Sequence, residues 1–412
     1  MLSQPRATRL TALLTILLAG FLVTGARVGS HVPITTRITF NREVVRILRE
    51  HCLDCHSPEG IKYDLPLLTY AEARPWAKAI KEEILNRRMA PHQVVKGYGR
   101  FRHDYLLAPR EQDQLISWIE GGVPKGEERD YPGELRAESG EPAWSTGKPD
   151  LILQPPAATK VPPAPFTGRR CQTIPLRDAS VRWISRLDFR PEDGRVVESA
   201  SFYLAPASDS NGSNGCRLPE ERLVHLGEWV PGQKAASSPE GMGRLLPPRA
   251  TIVIQIQYRG IEQPTSDRSR LALYFAPRPV SHLIETRPIR ASSTARGARI
   301  AVEESFREDR QIVGIRPLLP RGASSLEARL INPDGTSEVL IFSRNFQFDW
   351  RPTYYFRIPR PAPAGSRLSL TAYTSKLNSP VLCQIVTARV VAPPRASTRY
   401  LNDSSVNGLR QH

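Results

Sequence analysis

The segment His51-Cys52-Leu53-Asp54-Cys55-His56 constrains this chain more than any other feature. In the pattern Cys-x-x-Cys-His, two thiols lie three residues apart and an imidazole follows, which is the spacing that attaches one haem through two thioether bonds. The alternatives are a disulfide bond or half of a zinc site, but no second Cys or His pair follows at zinc-site spacing. The motif therefore predicts one covalent haem c, held by Cys52 and Cys55, with His56 as the proximal iron ligand.

Two amphipathic helices are predicted around this motif. Residues 40–52 carry an apolar stripe with Asn41 as the expected N-cap, and residues 112–120 carry a second stripe after Pro109 and before Gly121. The stripe residues are Phe40, Val44, Ile47 and Leu48 in the first helix, and Leu115, Ile116, Trp118 and Ile119 in the second. The pattern predicts a small all-α cytochrome c domain over residues 32–143.

The distal iron ligand is predicted to be Met89. Of the three methionines, Met1 is the initiator and Met242 lies in a different kind of sequence. Met89 follows a helical stretch that begins with a capping box at Thr69 and Glu72. Pro91 follows Met89 and ends the helix, which would leave the thioether free to turn toward iron. His92 and His103 are the competing ligands, and a lone methionine also serves as core filler.

The N-terminus has the pattern of an export signal. Two arginines precede an apolar run over residues 10–23, and small residues follow at 24–26. Residues 1–26 are therefore predicted to be a signal peptide or an uncleaved N-terminal anchor, which would place the protein in the periplasm or on the membrane facing it.

Of the five cysteines, the motif leaves Cys171, Cys216 and Cys383, which permit one disulfide bond and one free thiol in an oxidising compartment.

The sequence pattern changes from helical to alternating beyond residue 143. Residues 144–165 form a Pro-rich linker, after which apolar residues alternate with polar ones, as in residues 251–258. The Asn-Pro-Asp-Gly segment at 332–335 predicts a turn between two strands. Short, regularly spaced strands favour an all-β module of two antiparallel β-sandwiches, over residues 166–290 and 291–395, with a seam near 288–298 and a flexible tail at 396–412.

Most of the net charge of +16 lies on the predicted β module. Residues 31–143 contain 17 Lys and Arg against 18 Asp and Glu, whereas the chain from residue 144 onward contains 37 against 23. These basic residues are scattered singly, without the clusters of a nucleic-acid groove, so no nucleic acid is expected as a partner. The charge is consistent with a solvated surface, and otherwise with an anionic membrane or an acidic partner.

Several stretches of the chain resemble bacterial exported cytochromes c that are fused to a module similar to the copper type II, ascorbate-dependent monooxygenases. The matching stretches are 38–44, 51–56, 68–80, 87–89 and 97–99 around the haem motif, and 241–247, 267–271 and 332–335 in the C-terminal part. The resemblance implies that 166–290 and 291–395 are the two halves of a peptidylglycine hydroxylase-like fold.

The residues that hold copper in the resembling family are absent here. Those enzymes use five histidines and one methionine for two coppers, whereas this β module has His225, His282 and Met242, with His412 in the tail. Where the family has a pair of histidines before a strand, this chain reads Val197-Glu198-Ser199-Ala200. Gln257 stands where the family has a histidine on a strand, and residues 316–322, where the family has another pair, contain none. An amide or a hydroxyl replaces imidazole poorly at redox copper, so no copper is expected.

Two classes of function are consistent with these sequence features. The first is an electron carrier, in which haem passes single electrons to a redox partner protein or respiratory component and the β module serves as a docking or binding scaffold. The second is an oxidoreductase, in which haem feeds a monooxygenase-like site in the β module that the sequence does not reveal. Because the copper ligands are missing, the first is favoured.

Overall fold

The computed structural model describes residues 34–86, 94–103, 106–133, 144, 147–205, 223–235, 237–277, 279–291, 299–319, 323–344, 350–374 and 381–391. Of these residues, 45% lie in strands and 15% in helices. The predicted signal or anchor at 1–26, the tail at 396–412, Met89, His92, Cys216 and His412 lie outside the described residues. In the described part of the chain, no helix combines the length and the hydropathy that a membrane span needs.

The described helices are short and all precede residue 131. The α-helices are α1 (Val45–His51), α2 (Tyr70–Ala73), α3 (Ala77–Leu85) and α4 (Pro109–Glu120), with single helical turns at Phe40–Val44, Arg74–Trp76 and Glu128–Asp130. The apolar stripe of α4 faces inward, and Trp118 is fully buried. The N-cap prediction is wrong for the first helical segment: Thr39 precedes it, and the Thr39 amide donates to the carboxylate of Glu43 at 3.0 Å.

Strands make up most of the remaining structure. The first nine are β1 (Leu151–Leu153), β2 (Thr159–Val161), β3 (Thr167–Pro175), β4 (Arg182–Arg190), β5 (Val197–Ala205), β6 (Val224–Trp229), β7 (Met242–Leu246), β8 (Thr251–Arg259) and β9 (Thr265–Asp267). The others are β10 (Arg270–Phe275), β11 (His282–Ala291), β12 (Arg299–Ser305), β13 (Arg310–Leu318), β14 (Ala323–Ile331), β15 (Ser337–Arg344), β16 (Tyr354–Ala362), β17 (Arg367–Thr374) and β18 (Val381–Val390).

These strands form a large sheet, two four-stranded sheets and one two-stranded ladder. The eight-stranded sheet has the order β1-β10-β4-β7-β11-β18-β13-β16, and the four-stranded sheets are β12-β17-β14-β15 and β3-β8-β5-β6. The ladder pairs β2 with β9. Within the eight-stranded sheet, β7 and β11 are parallel neighbours, and their pairing joins the strands of the N-terminal half to those of the C-terminal half.

Two large hydrophobic cores lie between these sheets. Side chains of β4 and β10 pack with those of β5 and β8 in one core, and side chains of β13 and β18 pack with those of β14 and β17 in the other. A third, smaller cluster contains Phe40, Leu48 and Trp118 from the helical segments. Burial of apolar surface favours folding, and these two inter-sheet cores contain most of the buried apolar side chains of the described residues.

The predicted architecture, a small all-α cytochrome c domain followed by two separate β-sandwiches, is wrong. The structure is mostly β, and no distinct all-α domain is evident in its described part. The segment from 94 to 103 explains why, because Val94 bridges to Ser343 and Phe101 bridges to Phe356, so the chain between the helices belongs to the β core. The two predicted sandwiches share the eight-stranded sheet, so they are not separate modules either.

Strands occupy the described parts of two segments that composition marked as boundaries, although residues 292–298 of the second lie outside the described residues. The Pro-rich linker at 144–165 contributes β1 and β2, which pair with β10 and β9. Strand β11 continues through Pro288 to Ala291, where the seam was expected, and pairs with β18 along its whole length. In contrast, the predicted turn at 332–335 is confirmed between β14 and β15, with Gly335 at a φ of 85°.

Candidate functional site

The Cys-x-x-Cys-His motif forms a tight turn at the end of α1. The Cys52 amide donates to the Leu48 carbonyl at 2.8 Å and continues the helix, and the His56 amide then donates to the Cys52 carbonyl at 2.8 Å. Gly60 closes the turn, since a Cβ there would lie 2.3 Å from the Cys55 carbonyl oxygen. The chain therefore folds back on itself so that both thiols and the imidazole belong to one compact loop.

Cys52 and Cys55 are free thiols. Burial raises the pKa of each thiol to about 12, so both are neutral. Among the described residues, neither belongs to a group of three His, Cys, Asp or Glu side chains whose ligand atoms converge, and zinc would need such a group with deprotonated thiols. Two uncommitted thiols at this spacing fit covalent attachment of haem.

The imidazole of His56 is oriented by a backbone hydrogen bond. Its Nδ1 lies 2.9 Å from the Leu65 carbonyl oxygen, which can only accept, so Nδ1 carries the proton and Nε2 keeps its lone pair. Burial lowers the pKa of His56, which favours the neutral ring. A neutral imidazole whose other nitrogen donates to a backbone carbonyl is the arrangement that metal-ligating histidines use. His56 thus fits the role of an iron ligand.

Apolar side chains surround the motif. Cys52, Leu53 and Leu65 pack against the helical cluster that contains Leu67 and Trp118. A flat apolar cofactor needs such a surface. The residues present therefore fit haem in thiol chemistry, in the orientation of the imidazole and in the polarity of the surroundings.

The distal side is described only in part. Met89 and His92 lie outside the described residues, whereas His103 is partly buried. Burial lowers the pKa of His103, and the positive charges of Lys234 and Arg102 lower it further. The neighbouring Arg102 donates to the Ser237 carbonyl, so this segment lies next to the loop between β6 and β7.

The motif loop rests on the β-sheets. Arg259, at the end of β8, donates to the Ile61 carbonyl, and its guanidinium lies 6.0 Å from the centre of the Tyr63 ring. A Cβ on Gly232 would lie 3.9 Å from a carboxylate oxygen of Asp54, which is inside the motif. Burial raises the pKa of Asp54, and nearby Lys234 opposes this shift. The haem motif is thus attached to strands of the N-terminal half rather than held apart from them.

The three soft-ligand candidates of the β module lie in different environments. His225 is buried against Tyr203, with ring centres 5.2 Å apart, and Met242 packs in an apolar cluster. His282 is the register partner of Met242, and its Nδ1 lies 2.9 Å from the Ser281 hydroxyl. Among the described residues, neither His225 nor His282 belongs to a group of three His, Cys, Asp or Glu side chains whose ligand atoms converge.

Two positions at which the resembling family has histidines lie opposite each other on neighbouring strands. Ser199 and Gln257 are register partners on β5 and β8, and the Gln257 amide donates to the Thr167 hydroxyl at 3.2 Å.

Cys171 on β3 forms a disulfide bond, and Cys383 is a buried free thiol. The odd thiol expected from the cysteine count is therefore Cys383.

A buried polar cluster that sequence reasoning missed lies at β6. Pairing of β6 with β5 skips Leu226, and this β-bulge brings His225 and Glu228 to the same face of the strand. His225 Nε2 lies 3.7 Å from the Glu228 carboxylate, and Arg316 Nη1 lies 3.8 Å from it on the other side. Glu228 also accepts from the Thr353 amide at 2.9 Å. No sequence periodicity signals a bulge, and without it His225 and Glu228 would face opposite ways.

The charge states in this cluster follow from burial and from the arginines. Burial lowers the pKa of His225 to about 3, and Arg316 and Arg244 add to the shift while Glu228 opposes it. Burial would raise the pKa of Glu228, but the positive charge of Arg316 and the hydrogen bond from the Thr353 amide oppose it, and the pKa is lowered. At neutral pH the cluster therefore contains a neutral imidazole, one carboxylate and two guanidinium groups.

Replacing His225 with leucine is expected to flatten the pH dependence of stability. The unfolded chain binds a proton at His225 near pH 6.5, whereas the folded chain does not bind it until about pH 3, so stability falls as the pH drops through this window. Between pH 6.5 and pH 5, the wild-type chain should lose about 2 kcal/mol more of its unfolding free energy than His225→Leu. Urea unfolding at a series of pH values measures this, with His282→Leu as the control for loss of an imidazole. Parallel profiles for wild type and His225→Leu would contradict the assignment.

One further group of potential ligands lies beside the motif. Glu50, His51 and Glu111 converge, with His51 Nε2 3.3 Å from a Glu111 carboxylate oxygen. The other carboxylate oxygen of Glu111 already accepts from the Ala108 amide at the start of α4. The group thus has a structural explanation, because it fastens the end of α1 to α4.

Comparisons with known proteins give no assignment. No protein-family model matches the chain, and no curated protein matches it. Among solved structures, the chain is similar to the major capsid protein P2 of bacteriophage PM2, with a TM-score of 0.28 and 11% identity over 59% of this chain and 98% of that one. It is also similar to Paenibacillus xanthan lyase, with a TM-score of 0.19 and 8% identity over 59% of this chain and 26% of that one. A third similar structure is the VP2 subviral particle of infectious bursal disease virus, with a TM-score of 0.18 and 10% identity over 59% of this chain and 72% of that one. At TM-scores this low, no conclusion about fold or activity follows.

Proposed function

We propose that this protein is an extracytoplasmic electron carrier with one covalently bound haem c. The observation that carries the proposal is the His56 imidazole, whose Nδ1 is held by the Leu65 carbonyl so that Nε2 keeps its lone pair, next to two free thiols at the attachment spacing. The proposal does not require a separate helical domain, because the motif loop is supported by the sheets.

Each residue of the motif has a definite role in this proposal. Cys52 and Cys55 would attach the haem as thioethers, and His56 and Met89 would be the two protein ligands of its iron. When bound, haem supplies an iron that accepts and donates single electrons. Apolar side chains pack beside Cys52, and the Leu65 carbonyl fixes the orientation of the imidazole.

The remaining parts of the proposal concern compartment and partners. The N-terminal pattern supports export to the periplasm, with the N-terminus either cleaved or retained as an anchor. The partner would be a redox protein or respiratory component, docked through the β-sheets, and the positive charge supports an acidic partner or an anionic membrane surface. We expect no redox copper in the β-sheets, because the soft ligands are few and are not brought together.

The proposal is tested on the full chain expressed together with a haem-attachment system. The purified chain should gain the mass of one haem, retain its colour after acid-acetone extraction, and give the pyridine haemochrome spectrum of a c-type haem. Metal analysis should find about one iron and negligible copper per chain. Haem that is removed by acid-acetone, or stoichiometric copper retained after dialysis against a chelator, would contradict the proposal.

The distal assignment carries its own expected result. Met89→Leu should abolish the sulfur-to-iron charge-transfer band of the oxidised protein and lower the reduction potential, since thioether ligation raises it. The measurement is the near-red absorption spectrum, with His103→Ala as the control. Retention of the band in Met89→Leu, or its loss in His103→Ala or His92→Ala, would move the assignment to a histidine.

A second candidate, a haem-fed oxidoreductase of the monooxygenase type, is favoured by one observation. Glu228 and Arg244 of the buried cluster line a cavity, and Gly232, next to the lining residue Gln233, lies close to Asp54 of the motif. Substrate oxidation that depends on haem and is lost in Glu228→Gln would favour this enzyme over the electron carrier.

A further inference from the structure

The imidazole of His56 is oriented by the segment 60–65, which we call the orienting loop. The Leu65 carbonyl at its end accepts from His56 Nδ1 at 2.9 Å. The Lys62 amide of the same loop donates to the Cys55 carbonyl at 2.9 Å. The direction of the ring therefore depends on where this loop lies.

Arg259 fastens the orienting loop to the β-sheets. It is the last residue of β8, and its Nη2 donates to the Ile61 carbonyl in the middle of the loop. Its Nε donates to the Arg195 carbonyl at 3.2 Å, in the turn between β4 and β5. Because a guanidinium presents its N–H groups in a rigid planar fork, the bond to Arg195 fixes the direction of the group that meets Ile61.

A side chain of the orienting loop packs against the same part of the sheets. Tyr63 is partly buried and contacts the inter-sheet core of the N-terminal half. The guanidinium of Arg259 lies 6.0 Å from the centre of its ring, a distance at which a cation is attracted by the ring. Arg259 thus contacts both the backbone and a side chain of the loop.

The turn between β4 and β5 also touches the chain just before the orienting loop. A Cβ on Gly194 would lie 2.5 Å from the Glu59 carbonyl oxygen, which is closer than such atoms approach in proteins. The φ of Gly194 lies outside the left-handed region, so the approach of Glu59 is what requires glycine here. The two backbones are therefore in direct contact.

We propose that Arg259 is a positioning residue for His56. From the end of β8 it holds the orienting loop where the Leu65 carbonyl meets Nδ1, so the sheets determine which ring nitrogen carries the proton and which keeps its lone pair. The consequence for an iron ligand rests on the proposed function, whereas the protonation of His56 is a property of the chain without haem.

The test is the tautomer of His56 in the full-length chain expressed without haem attachment and kept reduced. With ¹⁵N-labelled histidine, long-range ¹H–¹⁵N NMR spectra near neutral pH distinguish an Nδ1–H ring from an Nε2–H ring, and His56→Ala assigns the signal. We expect the Nδ1–H form alone in the wild type and a mixture of both forms in Arg259→Met, because the Leu65 carbonyl is no longer held in place. An Nδ1–H form as complete in Arg259→Met as in the wild type would overturn the proposal.

Amide hydrogen exchange of the orienting loop is a second readout. It is measured by mass spectrometry on peptides that cover residues 56–67. Arg259→Met removes a hydrogen bond from a charged donor, so the loop should open more often and exchange roughly ten-fold faster or more. Equal protection in the variant and in the wild type would also contradict the proposal.

Arg170→Met is the matched control. The Arg170 guanidinium also lies over a ring, 5.1 Å from the centre of Phe166, but the residue is exposed and lies on the neighbouring strand β3. This variant should keep the wild-type tautomer of His56. A shift as large as that in Arg259→Met would mean that general loosening of the sheet moves His56, and the proposal would be wrong.

If Arg259→Met does not fold, Gly194→Ala decides. The added Cβ must push the Glu59 carbonyl away from the sheet, and with it the start of the orienting loop, so a mixture of His56 tautomers is expected. A complete Nδ1–H form in this variant would overturn the proposal. These measurements use the chain without haem, so their outcome is separate from that of the haem-attachment experiment.

Discussion

Replacing both Cys52 and Cys55 with serine is expected to abolish extraction-resistant haem completely. The thioether bonds require sulfur, and a serine hydroxyl does not add to the vinyl groups under the same conditions. The double variant should keep its fold, because both thiols are neutral and neither forms a disulfide bond. The measurements are the mass of the denatured chain, which should lack the haem increment, and the pyridine haemochrome spectrum after acid-acetone extraction.

The matched control for this experiment is Cys383→Ser. Cys383 is also a free thiol whose pKa burial raises to about 12, but it lies on β18, away from the motif. It should retain the wild-type haem content. Equal haem in the double variant and in the wild type would refute covalent attachment through the motif, and loss of haem in Cys383→Ser would point to general misfolding as the cause.

Replacing Glu228 with leucine is expected to lower the unfolding free energy by about 3 kcal/mol or more. The substitution leaves Arg316, which is only 7% exposed, without its acidic partner, and it leaves the Thr353 amide without an acceptor. Breaking one side of a buried ion pair has effects of this size because an uncompensated charge remains. Urea unfolding, with the midpoint read at constant slope, measures the change.

Glu303→Leu is the control that separates burial from ion pairing as such. Glu303 pairs with Arg367 at 3.0 Å, but about half of each side chain is exposed. Water replaces the lost partner there, so the change should stay within about 0.5 kcal/mol. Similar losses in the two variants would show that the environment of Glu228 is not dry.

Local patterns in the sequence predicted much of the local structure. The stripe of Leu115, Trp118 and Ile119 is buried on α4, and the predicted capping box between Thr69 and Glu72 is present. The alternating residues 251–258 lie on β8 as expected. Such signals depend on contacts between residues close in sequence, which composition and periodicity report directly.

The architecture was not predictable in the same way because it depends on distant pairings. The bridges from Val94 to Ser343 and from Phe101 to Phe356 join segments about 250 residues apart, and no local pattern marks them. Likewise, the parallel contact between β7 and β11 merges two sheets that spacing alone presents as separate. Composition identified helical and β-rich regions correctly but could not indicate that they share a core.

The residues of the candidate site also fall into those that are adjacent in sequence and those that only folding brings together. The residues of the haem motif are adjacent in sequence, so spacing was sufficient to propose them, and the structure added the orientation of His56 by Leu65. The cluster of Glu228, Arg244 and Arg316 comes from three strands and a β-bulge. Only the folded chain brings these three side chains together.

The short loop between β6 and β7 joins the two candidate sites. Gly232 faces Asp54 of the Cys-x-x-Cys-His motif, Gln233 and Lys234 line the cavity beside Glu228, and the Pro231 carbonyl accepts from the indole of Trp350. A change of charge at the motif and a change of charge in the cluster would therefore be linked by reciprocity, because each must shift the equilibrium of the other by the same free energy. With a redox group at the motif, a loop of this kind would make the electrical potential of the protein depend on the ionisation of side chains in its β-sheets.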